Sequence, residues 1–249
     1  MLSSETEGLH RVKYQLNESQ CTIITDSLEA LEAAESAIKS HRSELENYIK
    51  DNPVFQLALE PIEVDEGPEA VKLMAEASKR AGVGPMAAVA GVLADLSVGE
   101  MIGAGAKVAV VENGGEAYFI SDRPIDIAIK AGETPLSKRV GFRLEEFPVG
   151  VATSSGLFSH ALSFGEAEAV TIFAENAGVA DAAATAVANT VKGDDEESVI
   201  ETAVELGLNI EGVRGVLILY RGHVGLGGKV PTIIGVNPDD EETVTKEAS

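Results

Sequence analysis

Residues 148–190 read PVGVATSSGLFSHALSFGEAEAVTIFAENAGVADAAATAVANT, and the reading of this stretch decides the fold. Val149 to Ala152 is a short apolar run that breaks into a hydroxyl- and glycine-rich turn, Thr153-Ser154-Ser155-Gly156. Ser159-His160 follows, then a second apolar run from Ala169 to Phe173, then a small-residue helix carrying Asp181 and Thr185. The predicted order is strand, polar turn, histidine, strand, helix start. It gathers backbone donors, an imidazole and a carboxylate at strand ends, where binding sites are commonly built.

Working upstream, Lys107 to Val111 is a predicted buried strand, Asn113-Gly114-Gly115 a turn, and Glu116 to Ser121 the returning strand of a β-hairpin. Met86 to Met101, MAAVAGVLADLSVGEM, is a predicted helix whose Ala and Gly residues let its backbone come close to a strand or a bound ligand. Pro68 opens an earlier helix running through Ala81. Leu9 to Thr25 alternates as a hairpin around Asn17-Glu18-Ser19, and Asp26 with Glu29 gives a capping-box start to a helix from Ser27 to about Asp51. Val54 to Val64 is expected to be irregular or extended, after Asn52-Pro53 ends that helix. Ile125 to Ile129 and Gly141 to Leu144 are expected strands. Downstream, an acidic loop from Gly193 to Glu197 caps a helix over Ser198 to Leu206. Val213 to Tyr220 and Lys229 to Val236 are expected to pair across Arg221-Gly222-His223. Strand pairs mixed with helices argue for an α+β fold with helices packed on sheet faces. Residues 1–237 are expected to form one domain, possible subdomains included, and 238–249 an acidic disordered tail.

The 249 residues carry 41 acidic and 19 basic side chains, a net charge of −22, with 45% hydrophobic residues and no Trp. So anionic a surface repels phosphate backbones and anionic lipid, which argues against nucleic-acid and membrane-surface partners. It attracts divalent cations, although solubility alone also explains it. The single cysteine, Cys21, excludes an intramolecular disulfide, and its apolar neighbours mark an inert buried thiol. The N-terminal MLSSETEGLHRVKYQ lacks a signal peptide's basic and apolar regions, and no apolar run is expected to reach the roughly 20 residues of a membrane span. A cytoplasmic protein is the expectation.

Asp181 and Thr185 stand one helical turn apart, on one face. Both offer oxygen to a hard cation such as Mg²⁺, which is content with few protein ligands when substrate phosphates complete its shell. Equally, Asp181 could complement a helix N-terminus while Thr185 packs inside. The turn Thr153-Ser154-Ser155-Gly156 can present amides and hydroxyls to an anion. His160 could take a proton or orient a phosphate. Gly114 and Gly115 would admit a planar ligand close to the backbone, with Glu116 an acceptor at the rim, unless they simply make the hairpin turn. His41 and His223 read as surface residues, with Arg221 an anion contact at most. The chain has no GxSxG, Walker A, HExxH or GxGxxG motif.

Three of these pieces together resemble the ApbE superfamily, flavin transferases that use Mg²⁺ and FAD to attach FMN to a Thr or Ser of a target protein. Asn113-Gly114-Gly115-Glu116 resembles the family's Gly-Gly-Asp turn, Ser159-His160 its Ser-His-Ile element, and Ala180 to Ala186 its Ala-Asp-Ala-Leu-Ala-Thr-Ala metal motif. The pattern TSSG…SH.LSFG…AD.AAT is most similar to a cytoplasmic ApbE-like branch of methanogens and other anaerobes. The resemblance implies a T-fold-like α+β architecture, Mg²⁺ ligands at Asp181 and Thr185, a functional role for His160, a flavin or other diphosphate ligand, and an acceptor protein. Homo-oligomers are compatible with it. The chain departs from the family where Met86 to Gly91 replaces Gly-Gly-Ile-Ala-Lys-Gly, with Ala90 in the lysine's place, and where Leu162-Ser163-Phe164 replaces Asp-Pro. A lysine's charge would stabilise phosphate, so its loss leaves two readings open. One is FMN transfer or FAD diphosphate cleavage; the other is a non-catalytic accessory protein of anaerobic sulfur or amino-acid (homocysteine) metabolism.

Overall fold

The computed structural model describes residues 8–16, 19–128, 140–154, 165–235 and 244–247. The N-terminal alternation pairs as β1 (His10–Leu16) and β2 (Ser19–Thr25), antiparallel from His10 opposite Thr25 to Leu16 opposite Ser19. Helix α1 (Leu28–Asp51) is capped by Ser27 rather than Asp26, the Ser27 hydroxyl oxygen accepting the Ala30 amide. Asp26 is drawn elsewhere: its Oδ1 accepts the amides of Lys107 and Val108 at 3.0 and 3.1 Å. Asn52 ends α1, but Pro53 starts a short helix, α2 (Pro53–Leu57), where extended chain was expected. A proline at the first helical position gives up an amide that no helix would use.

Helix α3 (Glu69–Ala81) ends at Gly82, whose φ of +71° makes the left-handed cap. A 3₁₀ turn (Pro85–Ala88) leads into α4 (Val89–Gly103). Strands β3 (Ala109–Asn113) and β4 (Glu116–Ile120) form the predicted hairpin over Gly114 and Gly115, both at positive φ. Next come β5 (Ile125–Ala128), β6 (Val140–Leu144), β7 (Val149–Ser154) and β8 (Ala169–Ala174). Helices α5 (Ala177–Ala188) and α6 (Glu196–Leu208) then precede β9 (Val213–Tyr220), β10 (His223–Gly228), β11 (Thr232–Gly235) and β12 (Val244–Glu247). The strand β12, parallel to β1, occupies part of the expected acidic tail.

The hairpin partner of β9 is β10, not the expected Lys229–Val236. Glycines hid this strand, since they weaken the strand signal. They are there because α6 lies on them: a Cβ on Gly225 would meet Ile200 Cγ2 at 2.1 Å, and one on Gly227 would meet Val204 Cγ1 at 2.3 Å.

Among the described residues, nine strands form one sheet in the order β10-β9-β8-β7-β4-β3-β2-β1-β12, and three form another, β11-β6-β5. The helices cover one face of the large sheet. Val170, Ile172, Val216 and Ile218 pack there with α3, α5 and α6, while Ile23, Ala109 and Val111 pack with α1 and α4. The small sheet covers part of the other face, where Phe142 meets Phe173 edge-on at 4.9 Å between ring centroids. Coverage on both faces is why β8 is buried at all six positions and reads as an unbroken apolar run. Cys21 is buried as expected, and burial pushes its thiol up to about 12.

Contrary to the sequence expectation, the 19 residues Pro85–Gly103 are long and apolar enough to cross a membrane. They lie instead in the helical layer: Ala94, Val98 and Met101 pack in one cluster with residues of α1 and β3. The small residues of α4 let it lie close to β3, whose Asn113 Nδ2 donates to the Ala90 carbonyl, and also to α5. A Cβ on Gly91 would stand 2.2 Å from the Ala177 carbonyl oxygen. Gly91→Ala is therefore expected to lower stability by about 1–3 kcal/mol through overpacking. Gly99→Ala on the same helix, with nothing within 4 Å of its added Cβ, should raise it by about 0.5–1 kcal/mol. Urea denaturation of both variants checks this; equal losses would contradict it.

Candidate functional site

The N-termini of α4 and α5 meet, and each is completed by a carboxylate from the other helix. Asp95, on α4, accepts the α5 amides of Ala177 and Gly178 at 2.7 and 2.9 Å, while Asn176 takes the next amide, Val179, at 2.8 Å. Asp181, on α5, accepts the α4 amide of Gly91 at 3.0 Å, and no side chain of α4's own N-cap does so. Asp181 thus does complement a helix N-terminus, but that of α4 rather than its own. Each carboxylate oxygen carries two lone pairs, so the Gly91 bond leaves acceptor capacity on Asp181 for a cation.

The hairpin tip reaches the same place. Asn113 Nδ2 donates to the Ala90 carbonyl at 3.3 Å, and the Gly114 amide donates to Gln20 O at 3.3 Å. Glu116, the first residue of β4, is close enough to Asp181 for their charges to repel. Burial, then that repulsion, holds the Asp181 carboxyl well above the usual carboxylate range, against the Gly91 and Ala90 amides that favour the anion. Burial likewise pushes Glu116 up to about 7, with Glu112 adding to it. Asp95 is pushed up to about 7 by burial, despite its two amide donors.

Of the other predicted positions, Thr153 and Ser154 end β7, and Thr153 Oγ1 lies 2.9 Å from Thr171 Oγ1 across the ladder. Ala117 pairs with Val151, so Glu116 lies one step toward the Thr153 end of β7. Thr185 is partly buried one turn beyond Asp181 on α5. Gly114 and Gly115 are exposed at the hairpin tip. Ser155, Gly156 and His160 lie outside the described residues. Strand register and helix crossing thus bring together Asp181, Glu116, the Asn113–Gly115 tip and the start of α4. Among the described residues, no group of three His, Cys, Asp or Glu side chains is placed to hold a metal. A two-carboxylate oxygen set still fits Mg²⁺, provided substrate oxygens complete its shell. Asp95 escaped the sequence reading, because an aspartate within a helical pattern gives no sign that it caps a helix 82 residues later.

A family model described as AbpE bacteria matches residues 2–210. The chain belongs to that family. A UPF0280 protein of Methanosarcina acetivorans is 43% identical over 223 residues, which is 88% of this chain and 87% of that one. Another, from Methanopyrus kandleri, is 39% identical over 92% of this chain and 94% of its own. These relatives show the ApbE-like branch of methanogens to which the sequence pointed. Among solved structures, the apo flavinyl transferase ApbE of Pseudomonas stutzeri superposes with a TM-score of 0.60 at 16% identity, covering 92% of this chain and 95% of its own. The ApbE protein of Thermotoga maritima gives 0.55 at 16% identity, covering 88% and 96%. The expected α+β, ApbE-like fold is thereby borne out.

The elevated Glu116 carboxyl of this ApbE-like chain has a consequence for stability. Between its unfolded value near 4.3 and its folded value of about 7, the folded state holds more of its proton. Its contribution is fully present below the unfolded value and is lost as pH rises to about 7. Glu116→Gln should therefore lose less stability than the wild type between about pH 4 and pH 8, by on the order of 1–3 kcal/mol. Urea denaturation at stepped pH, without metal, measures it; parallel pH profiles would contradict it.

Proposed function

We propose that this chain is a Mg²⁺-dependent flavin transferase or FAD-cleaving enzyme, acting on FAD and passing FMN to a hydroxyl of an acceptor protein. The observation that carries this reading is the half-buried Asp181–Glu116 carboxylate pair, set against the Ala90 and Gly91 amides. Two like charges held together out of water are resolved by a divalent cation between them and a phosphate. Family membership and the ApbE fold support the same reading.

In this proposal Asp181 and Thr185 hold Mg²⁺, and Glu116 with the Gly114–Gly115 tip borders the ligand. Mg²⁺ bound there would neutralise the diphosphate and draw charge from the bond that breaks. Thr153, Ser154, Ser155 and Gly156 cradle phosphate oxygens. An acceptor hydroxyl attacks the phosphorus of the FMN half, the diphosphate bond breaks, and AMP leaves. His160 takes the hydroxyl proton. Where water replaces the acceptor hydroxyl, the products are FMN and AMP.

Chromatography of the protein incubated with FAD and Mg²⁺ should show AMP release that stops when the metal is chelated. Asp181→Asn is expected to reduce turnover by about a hundredfold or more. Because Asp181 also completes α4, Thr185→Val provides an independent arm, with Mg²⁺-dependent FAD binding weakened about tenfold. Unchanged Mg²⁺-dependent FAD binding and turnover in both variants would refute the assignment.

A further inference from the structure

Among the described residues, the layer between the two sheets is open at one edge. In the large sheet, Val224 and Leu226 of β10 pair with Leu219 and Leu217 of β9, and so share their face toward the small sheet. In the small sheet, Ile233 of β11 pairs with Phe142 and shares its inward face. Leu217, Leu219 and Phe142 are at most 8% exposed, whereas Val224, Leu226 and Ile233 are 52%, 48% and 52% exposed. Both sheets thus carry their apolar lining past the core. Only Lys229-Val230-Pro231 separates β10 from β11, so the two strands end their sheets on the same side.

Edge strands of monomers are usually blunted by charge, proline or a bulge. Strand β10, reading HVGLGG, has no charged side chain with histidine neutral, no proline and an unbroken register with β9. Among the described residues, no strand pairs with its outer edge. From His223 to Gly235 the one charged side chain is Lys229, which is bonded to Glu146. The whole chain carries a net charge of −22. Two copies repel wherever acidic surfaces face each other; β10 itself brings no carboxylate to such a contact, although α6 above it carries the exposed Glu197, Glu201 and Glu205.

We propose that a second copy of the chain docks here, β10 pairing antiparallel with its counterpart about a two-fold axis. A two-fold contact uses the same strand from both copies, so an uncharged edge meets an uncharged edge. Val224, Leu226 and Ile233 then close the open layer against their equivalents, and the large sheet runs on through the dimer.

Light scattering coupled to size exclusion, at about 50 µM chain, should give twice the 26.0 kDa chain mass. Val224→Lys and Ile233→Lys, on different sheets, should each raise the dissociation constant about 30-fold or more. Added salt should tighten the wild-type dimer by screening the like charges. Amide exchange in residues 223–228 should slow as wild-type concentration rises, a readout that survives misfolding of either variant. A wild-type monomer at that concentration would overturn the proposal. So would a dimer unmoved by either substitution in folded protein, exchange independent of concentration, or an edge that takes only an unrelated peptide or a lipid surface.

Discussion

Two helices cap each other, and the rest of the molecule is fitted around that exchange. Asp95 leaves α4 to complete the start of α5, and Asp181 leaves α5 to complete the start of α4. Hydrogen bonds to a charged partner contribute about 1.5–3 kcal/mol each. They are reached only if the backbones nearly touch, which Gly91 and Gly178 permit. A Cβ on Gly178 would stand 2.7 Å from Val92 Cγ2. The same demand reaches the sheet, where a Cβ on Gly150 of β7 would meet the Asn176 backbone at 2.0 Å. Strand β7 is thereby held close under the start of α5 at Gly150.

Stability and the proposed chemistry draw on the same carboxylates. The amides of Gly91 and Ala90 favour ionised Asp181, while burial and Glu116 oppose it. The hairpin tip joins because Asn113 grips the carbonyl of Ala90, the position where other family members are expected to place a lysine. In this chain the local positive end is therefore the first turn of α4 rather than a side chain. A diphosphate meeting so acidic a protein has most to gain from arriving with its cation.

Much of this was legible in the sequence where the signal is local. The Gly114–Gly115 hairpin, the β7–β8–α5 order and the end of α3 at Ala81 each follow from residues within a few positions of one another. What escaped depends on distant partners. Asp26 looked like a cap for α1, but the amides of Lys107 and Val108 bind it instead. Strand β10 was hidden by glycines whose purpose shows only when α6 is laid across them. Asp95 was not singled out in its apolar helix, and its meaning lies in α5. Of the site, Asp181 and Glu116 were found by motif, whereas their mutual repulsion needed the fold.

The most direct measurement replaces Mg²⁺ by Mn²⁺ and follows its paramagnetic broadening of amide resonances in the presence of FAD. A cation held by Asp181 and Thr185, with Glu116 at its border, should erase the signals of Ala90, Gly91, Glu116 and Asp181 first, at one equivalent. Broadening spread evenly over the acidic surface, with those four amides untouched, would contradict the central claim.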